Sequence, residues 1–314
     1  MADIALALGG GGIKGLAHIG VIRCLELQGY TIRAIAGTSA GGLVGAMYAA
    51  GYKPSEIENV INKVDRNRLF KRDRHDGPSL SGLQGLTGTL IDTLGEHHFT
   101  DLKIPFACTA VDLHCDQEVI FSQGIVVDAL QATIAVPGIF PPKQIGESLL
   151  IDGGVLDPVP VALARWLAPN LPIIAVCLTP VPEGWAHLPS FHMPASSPIP
   201  APIIEHLAHY RIGQAFQIFM RSMDTTSRML AELRLQADHP DVIIRPDVYR
   251  YGMLDDVNPE ELIQAGERAA EQSLPEIIKT LSGSNQISRR FRRTSLPGKI
   301  IPAEDENSVQ KILE

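Results

Sequence analysis

Ser39 stands in the pentapeptide Gly37-Thr38-Ser39-Ala40-Gly41, with glycine two positions before it and two positions after it. The segment closes a β-branched-rich run, Thr31 to Ala36, and opens a helix-friendly one, Gly42 to Ala50. A serine on such a strand-to-helix junction is the sequence form of a nucleophile elbow. The tight turn pushes the hydroxyl into the open and leaves room only for small neighbours. A serine placed this way attacks acyl carbonyls when it has a base, an oxyanion hole and a path for the acyl chain.

The oxyanion donors are assigned to Gly10-Gly11-Gly12-Ile13-Lys14-Gly15, which follows the apolar run Ile4–Leu8 and opens a helix. Backbone N–H groups converge at such a junction, and glycines let the chain approach a substrate closely. The loop also fits a dinucleotide fingerprint, but that motif expects an acid about 20 positions further on, at the end of the second strand. Here the second strand ends in Gly37-Thr38-Ser39, and Glu26 falls inside a helix. A P-loop is excluded because no Gly-Lys-Ser/Thr follows. Lys14 has two readings: it orients a phosphate, or it caps a solvated helix start.

Two bases are open from the residues alone. A Ser-Asp-His order requires a late histidine, and His187, His192, His206, His209 and His239 qualify by position only. His18, near the glycines, reads as a packed histidine. The clearer signal is Leu149-Leu150-Ile151-Asp152-Gly153-Gly154, an aspartate at the end of a short apolar strand. An apolar surround would raise its pKa and make it a better base.

Taken in order and spacing, the loop Gly10–Gly15, the elbow Gly37–Gly41 and Asp152-Gly153-Gly154 resemble the patatin-like phospholipase family. The segments from Ala135 to Pro142 and from Gly154 to Pro160 also look like its bacterial members, so the likeness runs from about residue 3 to residue 281. The resemblance implies a Ser39–Asp152 dyad without histidine, in which Asp152 takes the serine proton directly. It implies an oxyanion hole from the Gly10–Gly12 amides, supported by Lys14, Gly15, Gly37, Gly41, Gly153 and Gly154. It also implies lipid or other acyl-ester substrates. Asp157 stands where bacterial members often carry asparagine, which leaves the role of that position open. Two alternatives stand beside the phospholipase or lysophospholipase reading. One is a carboxylesterase or thioesterase acting on small acyl substrates, and the other a non-catalytic regulatory member of the scaffold.

The elements that must position these residues follow from composition and period. With 314 residues, 45% of them hydrophobic, the chain can bury the core of one large or two small domains. Its net charge of −8, from 27 basic and 35 acidic residues, argues against bulk binding to nucleic acid. The four cysteines form no C-x-x-C pair; Cys24, Cys108 and Cys177 read as buried thiols, which fits a reducing, cytoplasmic setting. No cluster has metal-ligand spacing, so neither a metal nor an organic cofactor is expected. There is no cationic leader and no apolar stretch of about 18 residues. Peripheral contact with the inner membrane face and homo-oligomerisation stay open.

The first 180 residues alternate strand and helix, which predicts a three-layer α/β/α fold with a mainly parallel sheet. Active residues in such folds lie beyond the carboxyl ends of the strands, where the glycine loop and elbow fall. Three segments break the rhythm. Arg66–His75 carries five Lys/Arg residues and leads into Gly77–Gly88. It reads as a solvated face or as a contact for anionic head groups. Pro180–Pro202 holds seven prolines among Trp185, Phe191 and Met193, and reads as a lid or as a surface excursion. Ser282–Glu314, with Arg289–Arg293, reads as a flexible tail beyond a hydrolase domain spanning residues 1–281. Between them, helical spacing covers Ile203–Leu235 and Pro259–Leu281, with a strand at Val242–Ile244.

Overall fold

Strand β1 (Ala2–Leu8) carries Ile4, Leu6 and Leu8 on one face and Ala5 and Ala7 on the other, all fully buried. That alternation of large and small side chains sets the two layers around it in this computed structural model, which describes residues 2–63, 79, 81–182, 211–253, 255–281 and 296–303. The large face packs against α1 (Ala17–Leu27), α2 (Ala40–Ala49) and α8 (Pro259–Leu281) through Ile19, Ile22, Val44, Met47 and Leu262. Each such side chain contributes about 1.5–3 kcal/mol when fully buried. On the alanine face, α6 (Val161–Leu167) and α7 (Arg211–Asp238) lay Leu163, Ala164, Ala231 and Leu235 against the sheet.

β2 (Tyr30–Gly37) pairs parallel with β1 through a one-residue irregularity, in which Ile4↔Ile32 is followed by Ala5↔Ala34. The slip leaves Arg33 outside, where it pairs with Asp3, and returns Ala34 and Ala36 to the alanine face. α1 and α8 cross at mutual glycines. A Cβ on Gly20 would sit 1.9 Å from the Ile263 carbonyl oxygen, and one on Gly266 would sit 1.9 Å from that of Ala17.

Among the described residues the sheet has nine strands, in the order β5-β6-β3-β2-β1-β7-β8, with β4 branching from β3 and β9 pairing with β4. The ranges are β3 Phe106–Asp112, β4 Gln117–Phe121, β5 Lys143–Ile145, β6 Ser148–Asp152, β7 Ile173–Val176, β8 Val242–Ile244 and β9 Lys299–Ile300. The β1–β2, β1–β7, β2–β3, β7–β8 and β4–β9 pairs are parallel, whereas β3–β4, β3–β6 and β5–β6 are antiparallel. The fold is therefore α/β with a mainly parallel sheet between helices, as the alternating pattern predicts. The strand order reverses at β1, so the glycine loop after β1 sits at the crevice where α/β sheets bind ligands.

Three further α-helices are α3 (Pro54–Lys63), α4 (Gln84–Leu94) and α5 (Val126–Thr133). One expectation needs correction. Lys299–Ile300, inside the segment read as a loose tail, pairs with β4 as β9, and Ala303 donates to Gln123 and accepts from Ile125. The basic run Arg66–His75, Trp185, Phe191, Met193 and tail residues 282–295 and 304–314 lie outside the described residues. Cys24, Cys108 and Cys177 are buried as expected, and Cys115 is exposed.

Candidate active site

Ser39 has φ 53° and ψ −123°, a left-handed backbone rare for any residue but glycine. Such a conformation costs about 1–3 kcal/mol and persists only when its surroundings fix it. Four contacts do so. The Ser39 amide donates to Thr133 Oγ1 at 2.9 Å, Thr38 N donates to the Leu8 carbonyl, Gly41 N donates to that of Thr38, and Leu43 N donates to that of Ser39. The flanking glycines are steric requirements. A Cβ on Gly37 would lie 2.6 Å from the Gly41 carbonyl oxygen, and one on Gly41 would lie 2.1 Å from that of Leu8.

Asp152 reaches the same point from the opposite direction. β3 pairs with β2 up to Gly37↔Cys108 and with β6 from Ala110↔Asp152 onward. Because β4 overlaps both pairings on the other edge of β3, β2 and β6 share one edge and point at each other. Only Thr109 separates their ends. The elbow and the aspartate are thus brought head to head by strand register. The Ser39 side chain stands beside the Asp152 carboxylate and favours its charged form, and Gly154 N donates to Asp152 Oδ1 at 2.7 Å. Burial pushes the Asp152 pKa up to about 6, against the lowering effect of those two groups.

The glycine loop closes the third side, with one correction. The Gly10 amide is already bound to the Pro158 carbonyl at 3.0 Å, so it is not a free oxyanion donor. The Gly11 and Gly12 amides have no acceptor among the described residues. Gly10 touches the serine, since a Cβ there would meet Ser39 Cβ at 3.2 Å. Gly12 has φ 60° and lies against Met253, where a Cβ would overlap at 2.2 Å. Gly15 is pressed against Ala40, and Gly153 against Thr109. His18 is a packed residue, as expected. It is fully buried, its Nε2 donates to the Gly9 carbonyl at 2.8 Å, and desolvation lowers its pKa to about 4.

These groups open into a cleft of about 480 Å³ lined by Gly10, Gly11, Lys14, Ser39, Asp152 and Gly154. Its apolar wall is Val136, Pro137, Val155, Val159, Leu178, Met220 and Met223; its polar wall adds Arg221, Asp224, Arg228, Arg250 and Asp255. Lys14 belongs to this polar wall, not to a solvated helix start. Desolvation lowers its pKa, with Asp224 and Asp255 raising it and Arg228 lowering it, and no described residue pairs with it. Arg228 pairs with Asp224 at 2.8 Å, yet its buried Nε has no partner among the described residues.

The sequence did not point to the α7 wall, to the wall from Tyr249 to Asp255, or to Thr109 and Thr133. The one available signal for the threonines was a hydroxyl inside an otherwise apolar run. Of the late histidines, His239 is exposed and off the cleft, whereas His187, His192, His206 and His209 lie outside the described residues. Pro180 lines the cleft, but the remainder of the segment read as a lid falls almost wholly outside the described residues.

The α/β sheet thus brings a strained serine, a buried aspartate and a glycine loop to one cleft. Residues 6–165 match the patatin-like phospholipase family, and the chain belongs to it. An uncharacterised NTE family protein of Mycobacterium tuberculosis (strain ATCC 25618 / H37Rv) is 39% identical over 164 residues, 51% of this chain and 44% of that one. The lysophospholipase NTE1 of Pyricularia oryzae is 27% identical over 321 residues, 94% of this chain and 20% of that protein. The chain thus spans less than half the length of these curated relatives. Among solved structures, VipD from Legionella pneumophila is 13% identical with a TM-score of 0.48, covering 89% of this chain and 67% of that one. Among the described residues no helix is long and apolar enough to cross a membrane.

Proposed function

We propose that this chain is a serine acyl hydrolase that cleaves acyl esters of single-chain lipids bearing an anionic head group. The observation that carries the reading is the strained Ser39 elbow set in one cleft with the buried Asp152 carboxylate. With its pKa at about 6, Asp152 is about nine-tenths ionised at neutral pH and can accept a proton. Ser39 Oγ attacks the acyl carbonyl as its proton passes to Asp152. The oxyanion is received by the amides of Gly11 and Gly12. Collapse expels the alcohol, which takes the proton from Asp152 and leaves an acyl-enzyme. Water, deprotonated by Asp152, then releases the acid and frees Ser39.

The substrate class rests on the two walls. Val136, Val155, Leu178, Met220 and Met223 offer an apolar path beside Ser39, and the cleft is of the size that takes one compact ligand. Lys14, desolvated and unpaired among the described residues, gains by meeting an anion, and the idle Arg228 Nε faces the same need. The name of the fungal relative, a lysophospholipase, fits that pairing of one chain and one phosphate. The test is fatty-acid release from a series of lysophospholipids and uncharged monoacyl esters, compared between the wild type and Ser39→Ala. The wild type is expected to favour lysophospholipids, with no release by the variant. Equal rates for the two proteins on every ester would contradict the reading.

A further inference from the structure

Behind the Ser39–Asp152 pair lies a buried acidic cluster that the chemistry above does not use. Asp157 is fully buried, and neither of its carboxyl oxygens has a hydrogen-bond partner among the described residues. The Val159 amide favours the charged form slightly without meeting hydrogen-bond geometry. The charged groups around it come from every element packed there: Glu118 on β4, Arg234 and Asp238 on α7, and, beyond Asp238, Arg165 on α6 with His239. Arg234 is bound to Glu118 at 2.9 Å, and Arg165 donates to the Asp238 carbonyl at 2.8 Å. Two arginines therefore face three acids. Glu118 is ion-paired to Arg234, Asp238 lies near Arg234 and Arg165, and Asp157, the deepest, shares the charge of Arg234 without a hydrogen bond or an ion pair to it. A lone buried carboxylate is costly enough that the group keeps its proton instead.

The backbone of this residue ties the site together. The Asp157 carbonyl accepts from Thr38 Oγ1 at 2.9 Å, one residue before Ser39. Its amide donates to the Gly153 carbonyl, one residue after Asp152, and the neighbouring Pro158 carbonyl holds the Gly10 amide. The segment from Asp152 to Pro158 thus contacts the elbow and the glycine loop through its backbone, with the Asp157 side chain buried and unpartnered among the described residues.

We propose that Asp157 is a positioning residue that must stay a neutral carboxylic acid, and that its ionisation releases the 152–158 segment and disarms Ser39. Desolvation, then the charge of Glu118, raise its pKa to about 8, so the release falls on the alkaline side of neutrality. The folded state holds a proton there that the unfolded chain loses near pH 4. Stability from this group is therefore present below pH 4 and is lost as pH rises towards 8.

The inference rests on Ser39 being the nucleophile, and the test separates the two ideas by including thermal denaturation, which needs no activity. The rate on a soluble short-chain ester and the melting temperature are measured from pH 5 to 10 for the wild type and Asp157→Asn. The wild-type rate is expected to fall about tenfold between pH 7 and 9, and the variant to hold its plateau. Between pH 5 and 8 the melting temperature of the wild type should drop relative to that of the variant. An alkaline limb that is absent from the wild type, or unchanged in a folded Asp157→Asn, overturns the proposal, as does a parallel melting profile. Should Asp157→Asn fail to fold, Glu118→Gln decides. Removing that charge and freeing Arg234 should move the alkaline limb to lower pH, and an unmoved limb overturns the proposal.

Discussion

The hydroxyls of Thr38 and Thr109 lie 2.9 Å apart where the ends of β2 and β6 face each other along one edge of β3. Thr38 has a single proton and gives it to the Asp157 carbonyl, so Thr109 is the donor in the pair. The two threonines, both fully buried, fix how closely the elbow and the Asp152 strand approach. Thr109→Val preserves volume and removes the donor. A loss of about 1 kcal/mol is expected in urea denaturation, with a larger proportional loss in turnover. Turnover unchanged in Thr109→Val would mean that this bond does not set the spacing.

Thr133 supplies the acceptor for the Ser39 amide, the group that must be held if φ is to stay at 53°. Thr133→Val leaves that buried N–H without a partner, which costs about 1–3 kcal/mol. Thr133→Ser keeps the acceptor and should recover most of the stability and activity. Equal damage from both substitutions would point to packing, not to the hydrogen bond.

As the proposed base, Asp152 is expected to give the pH profile its acidic limb. The rate should fall about tenfold per pH unit below pH 6, because a protonated carboxyl accepts nothing. Its raised pKa also means that ionising this group costs stability, which is present below about pH 4 and is lost as pH rises through 6. Asp152→Asn should therefore be inactive yet more stable than the wild type at pH 7, by on the order of 1–3 kcal/mol. A variant less stable than the wild type at pH 7 would contradict this.

Lys14→Met tests the polar wall. It should lower kcat/KM for a lysophospholipid by at least about tenfold, the scale of one lost charge-assisted hydrogen bond. An uncharged monoacyl ester should lose much less. Equal losses on both would assign Lys14 to shaping the glycine loop.

Much of this was legible because the key residues obey local rules. Ile4–Leu8, Thr31–Ala36 and Val242–Ile244 are β-branched or apolar runs bounded by turn residues, and each lies within a strand. The glycines at 37 and 41 mark a turn that no side chain can enter. α4 was missed because Gln84–Leu94 contains Gly85, Gly88 and three threonines, and is held as a helix by burying Leu90 and Leu94. β5 and β9 are too short for a period to register, and they exist because a longer neighbour pairs with them. The Gly10 amide was misassigned because its partner, Pro158, is distant in sequence and is brought near by sheet order. The same holds for the α7 wall: no local rule states which helix will roof a cleft.

The most direct measurement of the central claim is the site of covalent modification. The wild-type protein is treated with a fluorophosphonate at neutral pH, digested and mapped by mass spectrometry. The account predicts one phosphonyl adduct, on Ser39, formed much more slowly in Asp152→Asn. A folded wild type that takes no adduct, or takes it on another residue, would contradict it.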